Sequence, residues 1–416
     1  MDRNPFTPGF GLTPPVLAMQ GTPVEDFAEA LEGTRPAGHR SVLISGARGV
    51  GKTVLLSQFH DVAEEVGWEV IALHTSSDSL ADELRGRAVH ALRDLDPEAR
   101  DSRVTSGSIS ALGAGASLGR EISDRYEGED VPLAVLLDRL AALASLRGGG
   151  LLVLLDEVQS ADPDQVHVIT QHMQDLAQRG HAAGFVGAGV RAGVDELLAN
   201  PKTTFLRRAH QVEIGSVDVG TAAQVIMTTV ADTDKHITPE AAVRAGEISQ
   251  GYPYLIQVVG AEAWQRSGTS GTIEIEDVEG AREFAIDAMV HNVHGPALRD
   301  INGRKDEYLL AMLEDDGPSA VMDVARRMGI DQNNQNVYRS RLIADEMIRP
   351  AGRGHVELAM PYLREALIRR RDGGRSALAH GPARVARPVR ASRPVQGDRP
   401  ASGSRPGRRS ERGSGR

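Results

Sequence analysis

The sequence predicts an α/β protein: a parallel sheet with helices on both faces, then a smaller helical unit, then three helices with a β-ribbon. Three observations carry this. Short, wholly apolar runs such as "LLVLL" alternate with helix-periodic segments as far as about residue 216. Beyond 217 the apolar strand-like runs stop and helical segments follow one another. Past 301, three short helical segments end in two strand-like pieces around a Gly-rich turn. The implied units are 1–21 (an extended N-terminal segment), 22–216 (the α/β domain), 217–300 (a helical lid), 301–371 (a winged helix-turn-helix) and 372–416 (a disordered basic tail).

The elements follow in order. "PVEDFAEALEG" is a short amphipathic helix with Pro at its start and Gly at its end. "RSVLIS" is a buried strand, "KTVLLSQFHDVAEEVG" a helix, "WEVIALHTS" a strand and "SLADELRGRAVHALRDL" a helix. Residues 101–124 break the rhythm, with small residues alternating with Val, Ile and Leu, and suggest a hairpin or a mobile insertion. "PLAVLLDRLAALASLRG" is a helix, "LLVLLDEV" a strand, "PDQVHVITQHMQDLAQRG" a helix, and "AAGFVGAGV" and "HQVEIGSV" two more strands. The lid is expected to hold three helices, "DVGTAAQVIMTTVADTD", "TPEAAVRAGEISQG" and "PYLIQVVGAEAWQRSG". The last unit places helices at "KDEYLLAMLEDDG", "SAVMDVARRMGI" and "NQNVYRSRLIADEMI", followed by a ribbon at "RPAGRGHVELAM".

Composition excludes several chemistries. With no cysteine there is no disulfide framework, thiolate zinc site or Cys nucleophile. No apolar run is long enough for a membrane helix and no signal-peptide core opens the chain, so we expect a soluble, cytoplasmic protein without membrane contact. The net charge of −10 is uneven: the segment from Asp372 carries eleven Arg against three acids, leaving an acidic body of about −18.

The chemistry is concentrated in "LISGARGVGKTVLL". Gly46, Ala47, Arg48, Gly49, Val50, Gly51, Lys52 and Thr53 fit G-x-x-x-x-G-K-[ST] between an apolar strand and a helix, the context that pattern requires. Glycines let backbone N–H groups turn inward around phosphate oxygens, and the helix starting there adds its positive end. Lys52 supplies a full charge for the β- and γ-phosphates, and the Thr53 hydroxyl is a hard ligand suited to Mg²⁺. Val54 completes the cradle as the next amide of the helix. In "LLVLLDEVQSAD" two acids stand at the end of a buried strand, where ligands of open parallel sheets bind. Asp156 is the expected Mg²⁺ partner of Thr53. Glu157 is the expected base that activates the attacking water.

A D-E pair on this strand resembles the AAA+ and STAND ATPases. From about residue 5 to 370 the chain looks like an origin-recognition-type AAA+ ATPase, with an N-terminal box, P-loop sheet, helical lid and winged helix. The resemblance implies ATP as the nucleotide; no N-K-x-D guanine-reading motif is present. "GYPYLIQVVG" (251–260) resembles the sensor 2 segment of the lid or the G-x-P motif of STAND proteins, but Tyr254 and Leu255 stand where an Arg belongs. "VGAGV" (186–190) lies at the sensor 1 position with Gly and Ala in place of Asn or Thr, and "AMQGTPVEDF" lacks the Arg expected in the N-terminal box. These departures imply a slow switch. Arg207 and Arg208 lie where an arginine finger would act between subunits, which implies nucleotide-dependent self-association; surface solubility explains them equally well.

In the last unit, Gln335, Asn336, Arg339 and Arg341 on the second helix of the expected helix-turn-helix, with Arg353 on the wing, are residue types that read or grip duplex DNA. A solvated helix face on a protein-docking module would use the same letters, so DNA and protein partners both stand, as does a nucleotide-binding scaffold without turnover. His291 and His294 have i, i+3 spacing but no carboxylate motif, and a metal site is not expected there.

Overall fold

Strand Ser41–Gly46 (β1) sits one place from the edge of a five-stranded sheet whose order is read from a computed structural model of the chain. The structure describes residues 3–9, 13–19, 22–75, 79–96, 100–104, 120–124, 131–299 and 301–380. It divides into two units, 1–371 and 372–416. The first unit opens with α1 (Pro23–Glu32), which has Pro at its first turn and Gly33 in the left-handed region at its end. After β1 come α2 (Lys52–Glu65), β2 (Glu69–Leu73) and α3 (Leu80–Leu95). α3 starts at Ser79, whose hydroxyl accepts from the Asp82 N–H and satisfies an amide the helix cannot.

Within residues 101–124 the expected hairpin is visible at its base, where β3 (Arg100–Val104) pairs antiparallel with β4 (Arg120–Asp124). The remainder of that expectation, 105–119, lies outside the described residues. Then follow α4 (Leu133–Leu146), β5 (Leu151–Leu155), α5 (Pro163–Gln178), β6 (Ala183–Gly189), α6 (Arg191–Ala199) and β7 (His210–Ile214). The sequence reading passed over α6, a two-and-a-half-turn helix between two strands.

The large sheet runs β2-β5-β6-β1-β7, and every pairing in it is parallel. Such a sheet needs cover on both faces, which explains why β5 and β6 are buried along their whole length. One face packs Leu43, Ile71, Val153 and Phe185 against α3, α4 and α5. The other packs Ile44, Leu152 and Val186 with Phe59 of α2, and Phe27 of α1 stacks on Phe59 at 4.3 Å between centroids. This second core continues without interruption into the helices that follow, which are anchored to the sheet by shared burial.

Those helices are α7 (Val219–Ala231), α8 (Pro239–Ser249), α9 (Pro253–Arg266) and α10 (Ile275–Met289), with β8 (His236–Ile237) and β9 (Thr272–Ile273) pairing in parallel between them. The expectation of three helices here falls one short. α10 is set by a reciprocal capping box between Glu274 and Asp277, in a stretch too rich in acids to read as core-facing. The N-terminal segment carries no helix or strand in its described residues, but it is not free. Phe6 is buried against Gly260, and the Asn4 side chain donates to the Ala261 carbonyl at 3.0 Å.

A π-helical turn leads into α11 (Gly295–Arg299), then α12 (Arg304–Met312), β10 (Ser319–Ala320), α13 (Val321–Met328), α14 (Gln332–Ala344), β11 (Ile348–Pro350), β12 (His355–Leu358) and α15 (Leu363–His380). The three short strands form an antiparallel sheet in the order β10-β12-β11. Ser319 and Ala320, expected to start a helix, instead form its edge strand. α15 also corrects the sequence reading, because helix continues through 372–380 where a tail was expected; the rest of that expectation, 381–416, lies outside the described residues. No helix among the described residues is long and apolar enough to cross a membrane.

Candidate nucleotide site

Because the sheet is parallel, β1, β5, β6 and β7 all end on one edge. Gly46 closes β1 beside Ile214 of β7, Ser45 pairs with Gly189 of β6, and Asp156 follows directly on β5. Residue 46 must be glycine, since a Cβ there would collide with the Ile214 carbonyl oxygen. The loop then turns through Gly49 at φ +78° and Gly51 at φ +99°, the left-handed region a side chain resists, and releases α2 at Lys52. Open space surrounds the position a Cβ would take at Gly51, so the concavity is ready to admit an anion.

Lys52 is only 6% exposed, and its ammonium donates to the Gly46 and Ala47 carbonyls at 3.0 and 2.9 Å. Burial lowers its proton affinity, and the carboxylates of Glu346, Glu157 and Asp156 oppose that shift in that order. Among the described residues no carboxylate forms an ion pair with it, so a buried cation sits in the loop with carbonyl partners alone. That arrangement fits a phosphate. On α2, the Thr53 hydroxyl donates to Asp156 Oδ2 at 2.6 Å, which brings two hard oxygen ligands together beside the loop. The pair has the donor chemistry for Mg²⁺.

Glu157 is held in the left-handed region at φ +54°, unusual for a residue with a side chain. Its N–H donates to Asp156 Oδ1 at 2.8 Å, and its carboxylate accepts from the Gln159 side-chain amide. Both acids therefore stand on the edge of the sheet that carries the loop, with Glu157 exposed to solvent.

Two contacts close on the loop from distant sequence. The Tyr252 hydroxyl, at the start of α9, donates to the Arg48 carbonyl, and its ring lies 3.3 Å from where a Cβ on Gly49 would be. Burial pushes the Tyr252 phenol's pKa up, so it stays a donor. On the other side the Arg48 N–H donates to Glu346 Oε2 at 3.2 Å. Glu346 stands between α14 and β11 at φ +58°. Burial raises its pKa, and Lys52 is the strongest opposing influence.

Residues 17–185 match the AAA ATPase domain family. This segment is an AAA ATPase domain. The loop, the Thr53–Asp156 pair and the five-stranded parallel sheet all belong to it or continue directly from it. Residues 291–367 match a family described as a domain of unknown function. Among solved structures, the chain is similar to the Aeropyrum pernix ORC2 protein, solved in ADPNP–ADP complexes, at 12% identity and TM-score 0.61, over 89% of this chain and 98% of that one. It is also similar to a Walker-type ATPase of Pyrococcus abyssi at 15% identity and TM-score 0.57, over 83% and 94%. At such identities the likeness is one of fold: a P-loop NTPase sheet with flanking helices and a C-terminal helical region. No curated protein sequence matches the chain.

The remaining sequence expectations separate clearly. Gly46 through Val54, Asp156 and Glu157 come together at the AAA ATPase domain's sheet edge. Arg207 and Arg208 precede β7 at its opposite end, and Arg207 Nε donates to the Leu198 carbonyl at 2.9 Å. Asn336, Arg341 and Arg353 are exposed and Arg339 is partly buried. Gln335 corrects the sequence reading: it is 1% exposed, on the face of α14 that packs toward the buried Tyr308 of α12, and cannot reach a duplex. His294 is buried with Nε2 donating to the Pro361 carbonyl at 2.8 Å, while His291 meets the Asp287 carbonyl; among the described residues no group of side chains suited to a metal surrounds them. Tyr252, Glu346 and Gln159 were missed. Only Tyr252 had a signal, the "GYP" at the start of α9.

Proposed function

We propose that the protein is a slow, Mg²⁺-dependent ATPase of the AAA+/STAND type whose nucleotide state controls a C-terminal winged helix that binds duplex DNA. In this reading Gly46, Ala47, Arg48, Gly49, Val50, Gly51, Lys52, Thr53 and Val54 hold the phosphates of ATP. Thr53 and Asp156 hold the metal, whose positive charge offsets the negative charge developing on the transferred phosphoryl group. Glu157 orients a water and takes its proton, and Lys52 stabilises charge on the γ-phosphate.

The observation that carries the control element is the Glu346–Arg48 contact. It puts an anion from the turn between α14 and β11 on the phosphate cradle of the ATPase domain, beside the ammonium that phosphate needs. An incoming γ-phosphate carries the same charge as Glu346, so nucleotide binding and this contact oppose each other. The order helix, strand, helix, helix, strand, strand over 304–358 supports a winged helix, with α14 as its exposed helix and Arg353 on its wing. Asn336, Arg341 and Arg353 are the side chains left for DNA, with Arg339 beside them.

The exposed apolar side chains of Met322 on α13 and Val337 on α14 favour a second reading, a switch that docks a protein partner through the same unit. Steady-state ATP hydrolysis titrated with duplex DNA separates the two. Turnover raised by DNA supports the first; slow turnover indifferent to DNA supports the second. Self-association through Arg207 or Arg208 belongs to either, and gel filtration with a nonhydrolysable ATP analogue tests it: an unchanged monomer removes it.

A further inference from the structure

β6 delivers no polar side chain to the site: its last residues are Gly187, Ala188 and Gly189, followed by Val190. The polar group at that position comes from Gln159 instead. This residue lies in the short 3-10 turn Val158–Ser160 just after Glu157. Its side-chain carbonyl accepts from the Val190 N–H at 3.0 Å, and its amide donates to Glu157 Oε2. One carboxamide thus ties the end of β6 to the carboxylate that follows β5.

The glycines around it have a reason in this arrangement. A Cβ on Gly189 would come within 2.7 Å of Gln159 Oε1 and 2.6 Å of the Val158 side chain. A Cβ on Gly193, in the first turn of α6, would collide with Gln159 Cβ. Small residues on two elements leave a slot that one glutamine side chain fills. Glu157 itself is exposed and in a left-handed backbone conformation, so little besides this bond fixes its carboxylate.

We infer that Gln159 is a positioning residue: it holds the Glu157 carboxylate in the orientation from which it acts on water, and takes over the polar role that β6 lacks. The inference rests on the ATPase reading above.

The test compares wild type with Gln159→Met, which keeps the shape and removes both hydrogen bonds, and Gln159→Glu, which keeps an acceptor for Val190 but sets a carboxylate against Glu157. Steady-state kcat and KM for Mg·ATP are measured with Glu157→Gln as reference, and thermal melting checks folding. Both Gln159 variants should lower kcat by about tenfold to a hundredfold, the effect of a misplaced catalytic group, with KM within about twofold and melting unchanged. A purely structural role would let Gln159→Glu recover wild-type kcat, and that result overturns the inference while leaving the ATPase reading intact. A wild-type protein that binds ATP and does not hydrolyse it, or a Glu157→Gln variant as active as wild type, overturns both.

Discussion

The Glu346 carboxylate accepts a hydrogen bond from the Arg48 N–H at 3.2 Å, across 298 positions of sequence. Here an acid from the turn between α14 and β11 meets the backbone of the phosphate loop. Burial raises its pKa, and the nearby Lys52 ammonium opposes that shift.

Replacing Glu346 by Gln removes the charge and keeps the shape. Affinity for Mg·ATP should rise about three- to tenfold, the order expected for relief of one like charge near a partly solvated site. Titration with a fluorescent ATP analogue measures it, and the gain should be smaller for ADP, which brings no γ-phosphate.

Lys52→Met should lose nucleotide affinity by about a hundredfold or more, as a charge-assisted phosphate contact disappears. The folded state should be unharmed or slightly more stable, because burial already disfavours the ammonium. Calorimetric titration and thermal melting on the same sample report both effects.

Exposed and buried positions of α14 and the β11–β12 turn should behave oppositely. Arg341→Ala and Arg353→Ala should each weaken duplex DNA binding by a similar factor across sequences and flatten its salt dependence by about one unit of slope. Gln335→Met should leave DNA binding unchanged. Its side-chain amide nitrogen is buried without a partner, so an apolar replacement should be neutral or stabilising in melting.

His294 should make stability depend on pH. Its Nε2 donates to the Pro361 carbonyl, and Nδ1 is buried without a partner, so a second proton there has no acceptor. Burial lowers its pKa to about 4, whereas an unfolded imidazole titrates near about 6.5. The unfolded chain therefore binds more protons between those values, and stability should fall as pH drops from about 6.5 to about 4, by at most about 1.4 kcal/mol per pH unit. Urea unfolding of wild type and His294→Gln across that range measures it; the variant should have the flatter profile.

The parts of the site written contiguously were legible in the sequence. Gly46 to Thr53 and the Asp156–Glu157 pair each sit at the end of an apolar strand, and a parallel sheet brings such ends to one edge whatever the order of strands. The contacts that close the loop were not legible. Tyr252 and Glu346 reach Arg48 across 204 and 298 positions, and nothing local in "ADEMI" distinguishes Glu346 from a solvated acid. Gln335 was misread because α14 is polar around most of its circumference, so periodicity gives no inward face. Gly189 looked like a departure from a sensor; its explanation, the Gln159 side chain, comes from another strand's loop.

In the proposed switch, nucleotide at the loop and Glu346 on the loop oppose each other. Hydrogen–deuterium exchange across residues 341–350, with and without Mg·ATP, tests it most directly. Exchange at the turn between α14 and β11 should be faster when ATP binds, with no such change in Lys52→Met. Unchanged or slower exchange at that turn in a protein saturated with ATP would contradict it.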